Sequence, residues 1–281
     1  MKRAFFLPVL ATLLTMSGGC LGQGQPVQFE LESKTVGARY AIEVVLPAKA
    51  AESGVKYPAI YCTDWSVLGD YFKSLPRLMD MGRLTEPFVM IGIGQPGGLA
   101  EWATARTRDF TPAAPTAAYS KQFIPAAAMD KAGGAARFIA FLRDELIPRI
   151  ESAYPVDPAR RGFAGYSLGA LLGTCLLSSE PQLFQYYLLG SPSLWFNEFS
   201  LATEFEKTPP QRLDLIRRVY LSVGEEESWE MLRGFCSLRD ALRQKGVTDS
   251  RLKAEIIGQA GHVGAMPIAL YNGLRYLMGR K

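Results

Sequence analysis

The sequence predicts an α/β domain with a mostly parallel central sheet, an N-terminal antiparallel hairpin and helices on both faces. Three observations carry this. Short continuous apolar runs, at 57–62 (YPAIYC) and 87–93 (PFVMIGI), read as strands buried on both sides. Further along, such runs alternate with stretches of helical periodicity, the pattern of strand–helix crossovers. The chain has 281 residues, 48% of them hydrophobic and 21% charged, so it is globular and long enough to bury one large core.

Residues 1–20 read as a targeting segment and 21–281 as a single domain. Lys2-Arg3 precedes an apolar run over 4–16 and the small residues Ser17-Gly18-Gly19 before Cys20. That run is shorter than the roughly 20 residues a membrane span needs. Gly-Gly-Cys resembles a bacterial lipobox, with Ser17 where that motif usually carries leucine. Two readings follow, lipidation at Cys20 or simple cleavage of a signal peptide. Both predict export, to the periplasm after simple cleavage or to a membrane-anchored lipoprotein state in which lipidated Cys20 is the membrane contact.

Residues 29–33 and 40–46 read as the antiparallel pair, the second alternating apolar and polar positions. Residues 132–150 carry Phe138, Phe141, Leu142 and Leu146 at helical spacing and end near Pro148. Strands follow at 161–164, 186–189, 218–223 and 252–257, and helices at 168–178, 228–244 and 267–278. In such a sheet, ligand chemistry belongs at the carboxyl ends of the strands.

Composition narrows the chemistry. A formal charge of +4, about +2 without Lys2 and Arg3, gives no footing for a nucleic-acid partner. One histidine and no CxxC leave little from which to build a His/Cys metal site. Cys62 and Cys175 sit in apolar runs and read as small buried hydrophobes. Gly92-Ile93-Gly94-Gln95-Pro96-Gly97 matches GxGxxG formally. No helical apolar stripe follows it through Trp102 to Pro112, so no nucleotide cofactor is expected.

The chemistry concentrates at Gly165-Tyr166-Ser167-Leu168-Gly169. A serine between glycines, after a strand and before a helix, is the pattern of a nucleophile held on a strained turn where the two backbones pass close together. A serine hydroxyl needs a base, and His262 lies in the last loop before the C-terminal helix. An acid is expected between them, and Glu225-Glu226-Glu227 follow the strand at 218–223. Two N–H groups must stabilise the oxyanion. Leu168 is the candidate for one, and Trp65 or Ser66, in the loop after 57–62, for the other. Trp195 and Phe196 either line a substrate pocket or pack the core. Arg106 and Arg108 either hold an anionic or catecholate substrate group, pair internally with Asp109, or lie solvated at the surface.

Together these pieces resemble the Putative esterase family of α/β-hydrolases, which includes esterase D, siderophore trilactone esterases and, more distantly, mycolyltransferases. Beyond GYSLG the resemblance rests on YPAIYCTDW, RTRDFTP (106–112), FLRDELIPRIESAYP (141–155), GSPSLWF (190–196), VGEEES and the final GH. It implies an α/β-hydrolase fold and hydrolysis of a small-molecule carboxylic ester through an acyl-enzyme, without cofactor. In related hydrolases the acid commonly sits three residues after the glycine ending its strand, which selects Glu227. Trp65 stands where the family usually has glycine. Acyl transfer by the same residues is one alternative, and a non-catalytic binding protein on a hydrolase scaffold is another.

Overall fold

The computed structural model describes residues 26–48, 50, 54–116 and 118–280. The expected targeting segment, with Cys20, lies outside them. Strands β1 (Val27–Ser33) and β2 (Ala38–Val45) form the antiparallel pair, Leu31 opposite Tyr40. Strand β3 (Tyr57–Cys62) leads into helices α1 (Trp65–Phe72) and α2 (Leu75–Met81), and β4 (Val89–Gly94) into α3 (Leu99–Phe110) and α4 (Ala118–Phe123). After α5 (Ala135–Phe141) and α6 (Ile147–Ala153) come β5 (Val156–Tyr166), α7 (Leu168–Ser179), β6 (Tyr186–Gly190) and α8 (Ser200–Glu206). The chain then runs through β7 (Arg218–Gly224), α9 (Trp229–Gln244), β8 (Leu252–Ile257) and α10 (His262–Met278).

The eight strands form one sheet in the order β1-β2-β4-β3-β5-β6-β7-β8. Strand β2 is antiparallel to both neighbours, and every other pair is parallel. Burial follows the pleat. In β3, Tyr57, Ala59 and Tyr61 join a core that includes Phe138, Phe141 and Phe184, while Ile60 and Cys62 join Phe72, Met79 and Leu274 on the other face. Successive side chains of a strand point to opposite faces. A strand covered on both sides therefore needs apolar residues at every position, which is why 57–62 reads as a continuous run.

Three elements differ from the sequence-based expectation, the first two for physical causes visible in the structure. Helix α3 forms directly after the GxGxxG segment, with Gly98 at its N-cap. It lacks an apolar stripe because its buried face is polar: Thr107 and Asp109 lie inside with Phe110. Asp109 is neutralised by Arg108 at 2.7 Å and accepts the Tyr40 hydroxyl at 2.8 Å. The helix predicted over 132–150 instead runs on past Pro148 to Ala153. A π turn over Leu142–Leu146 precedes the proline. Such widening relieves the clash of the proline ring with the preceding turn. Helix α10 starts at His262, five residues earlier than predicted, and carries Pro267 inside it.

Candidate active site

Four parallel strands end side by side and present the candidate residues at one rim: Tyr166 pairs with Gly190, Gly190 with Ser222, and Gly224 with Ile257. Ser167 follows β5 at once, with φ 59° and ψ −119°. A side chain rarely adopts positive φ outside strained functional turns. The flanking glycines are required by contact. A Cβ on Gly165 would stand 2.3 Å from the Gly169 carbonyl oxygen, and one on Gly169 would stand 2.6 Å from Thr63 Oγ1. The Ser167 amide donates to the Gly190 carbonyl at 2.9 Å, anchoring the turn to β6. Leu168 opens α7, so its N–H has no intrahelical acceptor.

His262 and Glu227 meet at the same rim. Glu227 Oε2 lies 2.6 Å from His262 Nδ1. Its other oxygen accepts the Gly224 amide at 2.8 Å and the Ser191 hydroxyl at 2.5 Å. Burial pushes the Glu227 carboxyl up, but hydrogen bonds from His262, Ser191 and Gly224 outweigh it and hold the group below the usual carboxylate range. Its neighbours do other things. Glu225 accepts the Gln259 amide at 2.8 Å, and Glu226 is exposed at the cleft. With Nδ1 turned to a carboxylate, Nε2 is the nitrogen left for chemistry.

Ser167, Leu168, Glu227 and His262 border one cleft of about 420 Å³. There the Ser167 hydroxyl lies 3.3 Å from that of Ser193. Trp195 and Phe123 form an aromatic wall, ring centroids 5.1 Å apart, and Met231 lies beside them. Phe196 is instead fully buried in the core.

Arg106 also borders the cleft, and its ion pair is with Asp64; of the two arginines, only Arg108 makes the expected pair with Asp109. Arg106 Nε and Nη2 reach the two Asp64 carboxylate oxygens at 2.9 and 3.1 Å. Trp102 donates to the same carboxylate at 2.9 Å. Asp109 is taken by its chain neighbour Arg108, on the face of α3 turned toward Tyr40.

Trp65 and Ser66, the candidates for the second oxyanion donor, are not among the residues bordering this cleft. They open helix α1 and border a separate depression with Glu43 and Gln95. The Trp65 indole donates to Glu43 at 2.5 Å and lies against Gly92, where a Cβ would stand 1.9 Å from the ring. The Ser66 amide lies 3.1 Å from the place of a Gly94 Cβ. The first two glycines of the GxGxxG segment, Gly92 and Gly94, thus make room for Trp65 and Ser66. Burial raises the thiols of Cys62 and Cys175, the latter to about 12, so neither supplies a thiolate nucleophile.

Tyr166, Ser191, Ser193, Asp64 and Phe123 also stand in or beside the site, and nothing in the sequence assigns them a role there. The first four lie inside the quoted segments GYSLG, GSPSLWF and YCTDW, so their positions carried a signal but their contacts did not. Tyr166, between the motif glycine and the serine, donates its hydroxyl to the His262 carbonyl at 2.6 Å.

The profile of the Putative esterase family matches residues 33–233. The chain belongs to that family. This esterase is a carboxylic ester hydrolase of the serine type. It is similar to the ferri-bacillibactin esterase BesA of Bacillus subtilis, 29% identical over 233 residues that span 79% of each chain. Among solved structures it is similar to the BES protein from Bacillus cereus, with a TM-score of 0.78, 25% identity and full coverage of both chains. An IroE-like serine hydrolase from Shewanella oneidensis shares the fold, with a TM-score of 0.76 and 23% identity over 90% of this esterase and 80% of that chain.

Proposed function

We propose that this esterase hydrolyses siderophore-type esters through an acyl-enzyme on Ser167. The observation that carries the reading is the 2.6 Å contact between Glu227 and His262 at the cleft that Ser167 also borders. Rotation about the serine χ1 turns Oγ from Ser193 toward Nε2. The imidazole takes the hydroxyl proton as Oγ attacks the ester carbonyl, then gives it to the departing alcohol. Glu227 holds the Nδ1–H tautomer and stabilises the imidazolium without taking up the proton. The Leu168 amide faces the developing oxyanion as one donor. Water then attacks the acyl-enzyme with the same histidine as base, releasing the acid and restoring the serine.

The similarity to a ferri-bacillibactin esterase supports a siderophore ester as substrate, and the cleft suits one chemically. Trp195 and Phe123 offer flat apolar surface to an aromatic acyl group, and Arg106 offers positive charge to its oxygens. The basic and apolar start ending in Gly18-Gly19-Cys20 supports export, which cell fractionation tests.

The test is turnover of a catecholate trilactone beside a panel of simple nitrophenyl esters, with Ser167→Ala and His262→Ala as controls. Each variant should fold and lose about 10⁴-fold or more in kcat. A fluorophosphonate should label the parent protein and not Ser167→Ala. Parental turnover in either variant refutes the mechanism, and a trilactone that is not hydrolysed while simple esters are refutes the substrate class.

A further inference from the structure

Ser191 has no part in the steps above, yet its side chain sits at their centre. It is the first residue past β6, fully buried, and it does not border the cleft. Its hydroxyl is 2.5 Å from Glu227 Oε1 and 2.8 Å from the Tyr166 hydroxyl. The Tyr166 proton is committed to the His262 carbonyl, so the phenol oxygen faces Ser191 as an acceptor. Ser191 has one proton to donate, and the charged Glu227 carboxylate at 2.5 Å takes it in preference to the neutral phenol oxygen.

The backbone at this position argues that the hydroxyl is what matters. Ser191 has φ 43°, a conformation glycine adopts without steric cost and serine does not. The main-chain bond made here, from the Ser191 amide to the Ser222 carbonyl at 2.8 Å, would serve glycine equally well. Glu227 Oε1 has a second donor in the Gly224 amide, but that amide belongs to the same β7 end as Glu227 itself. Ser191 is the donor that comes from a neighbouring strand, and so it ties the carboxylate to the rest of the rim.

We propose that Ser191 is a positioning residue. Its hydroxyl donates to Glu227 Oε1 and so holds Oε2 against His262 Nδ1. The proposal rests on the assignment of Ser167, His262 and Glu227 made above.

The test measures kcat, KM and thermal midpoint for Ser191→Gly, Glu227→Gln and the two combined. Ser191→Gly should fold with its midpoint within a few degrees of the parent, because the left-handed backbone suits glycine. Its kcat should fall roughly tenfold or more, the scale of one hydrogen bond to a charged group, with KM unchanged. In the Glu227→Gln background the same substitution should cost less than about threefold, since the group it positions is gone. Parental kcat in Ser191→Gly, or an undiminished loss on top of Glu227→Gln, overturns the positioning role while leaving the triad standing. Parental kcat in Glu227→Gln removes the acid itself and the proposal with it. If Ser191→Gly does not fold, Ser191→Ala deletes the same oxygen with Cβ kept, and the same readings apply.

Discussion

Tyr166 donates its phenol to the main-chain carbonyl of His262 at 2.6 Å, and the two rings lie with centroids 5.2 Å apart. The turn that presents the hydroxyl therefore also holds the helix end that presents the imidazole. Burial raises the Tyr166 phenol far above its ordinary range, so it stays protonated and remains a donor at every working pH. Tyr166→Phe keeps the ring packing and deletes the donor. It should lower stability by about 1 kcal/mol, the net worth of a typical hydrogen bond, measurable by urea denaturation. It should also lower kcat several-fold through a looser His262. An unchanged kcat would mean that helix α10 holds the imidazole unaided.

Acid sensitivity should trace in part to Glu227. Its carboxyl sits below the usual range in the folded state, so the unfolded chain binds its proton first as pH falls. The stabilisation is fully present above the unfolded value of about 4.3 and is lost as pH drops through the lower folded value. Glu227→Gln removes that dependence. Denaturation midpoints from pH 7 to pH 3 should fall less steeply for the variant than for the parent. Parallel curves would show that the carboxylate's hydrogen bonds do not favour its charged form.

The legible and illegible parts of this protein divide along one line. Elements whose burial is apolar were readable, because β3, β4 and β6 must be apolar at every position to lie between two helix layers. The glycine spacing around Ser167 was readable because the turn admits no Cβ at Gly165. Helix α3 was not, since what it buries is the ion pair of Asp109 with Arg108, and periodicity counts only apolar residues. Nor was the partner of Arg106: Asp64 lies 42 positions away, and only the crossing of α3 over the β3–α1 turn brings the two together. Choosing Glu227 from three consecutive glutamates took family likeness, because which one turns inward depends on the bend after Gly224.

Arg106 spends its charge on Asp64 yet still borders the cleft, so its effect should depend on substrate charge. Arg106→Met should raise KM several-fold for a catecholate ester and leave KM for a neutral short-chain ester unchanged. Among the described residues, the buried Asp64 carboxylate would then keep only the Trp102 indole as a side-chain donor, and breaking such a pair from one side costs about 3 kcal/mol. The thermal midpoint should fall accordingly. An equal rise in KM for both esters would point to altered cleft shape in place of lost charge.

The glycines near the site are not equivalent, and substitution should separate them. A methyl group added at Gly165 would press on the backbone oxygen of Gly169 at 2.3 Å, and neither strand β5 nor helix α7 can withdraw without breaking the turn that holds Ser167. Gly165→Ala should cost about 3 kcal/mol or more and abolish turnover. Gly264 lies in the first turns of α10, where an added Cβ meets nothing closer than 3.9 Å. Gly264→Ala should leave kcat within about twofold and raise stability by up to about 1 kcal/mol through helix propensity. Calorimetry with turnover on the same preparations reads both. A stable, active Gly165→Ala protein would show that the strained turn at Ser167 is not needed to present the hydroxyl.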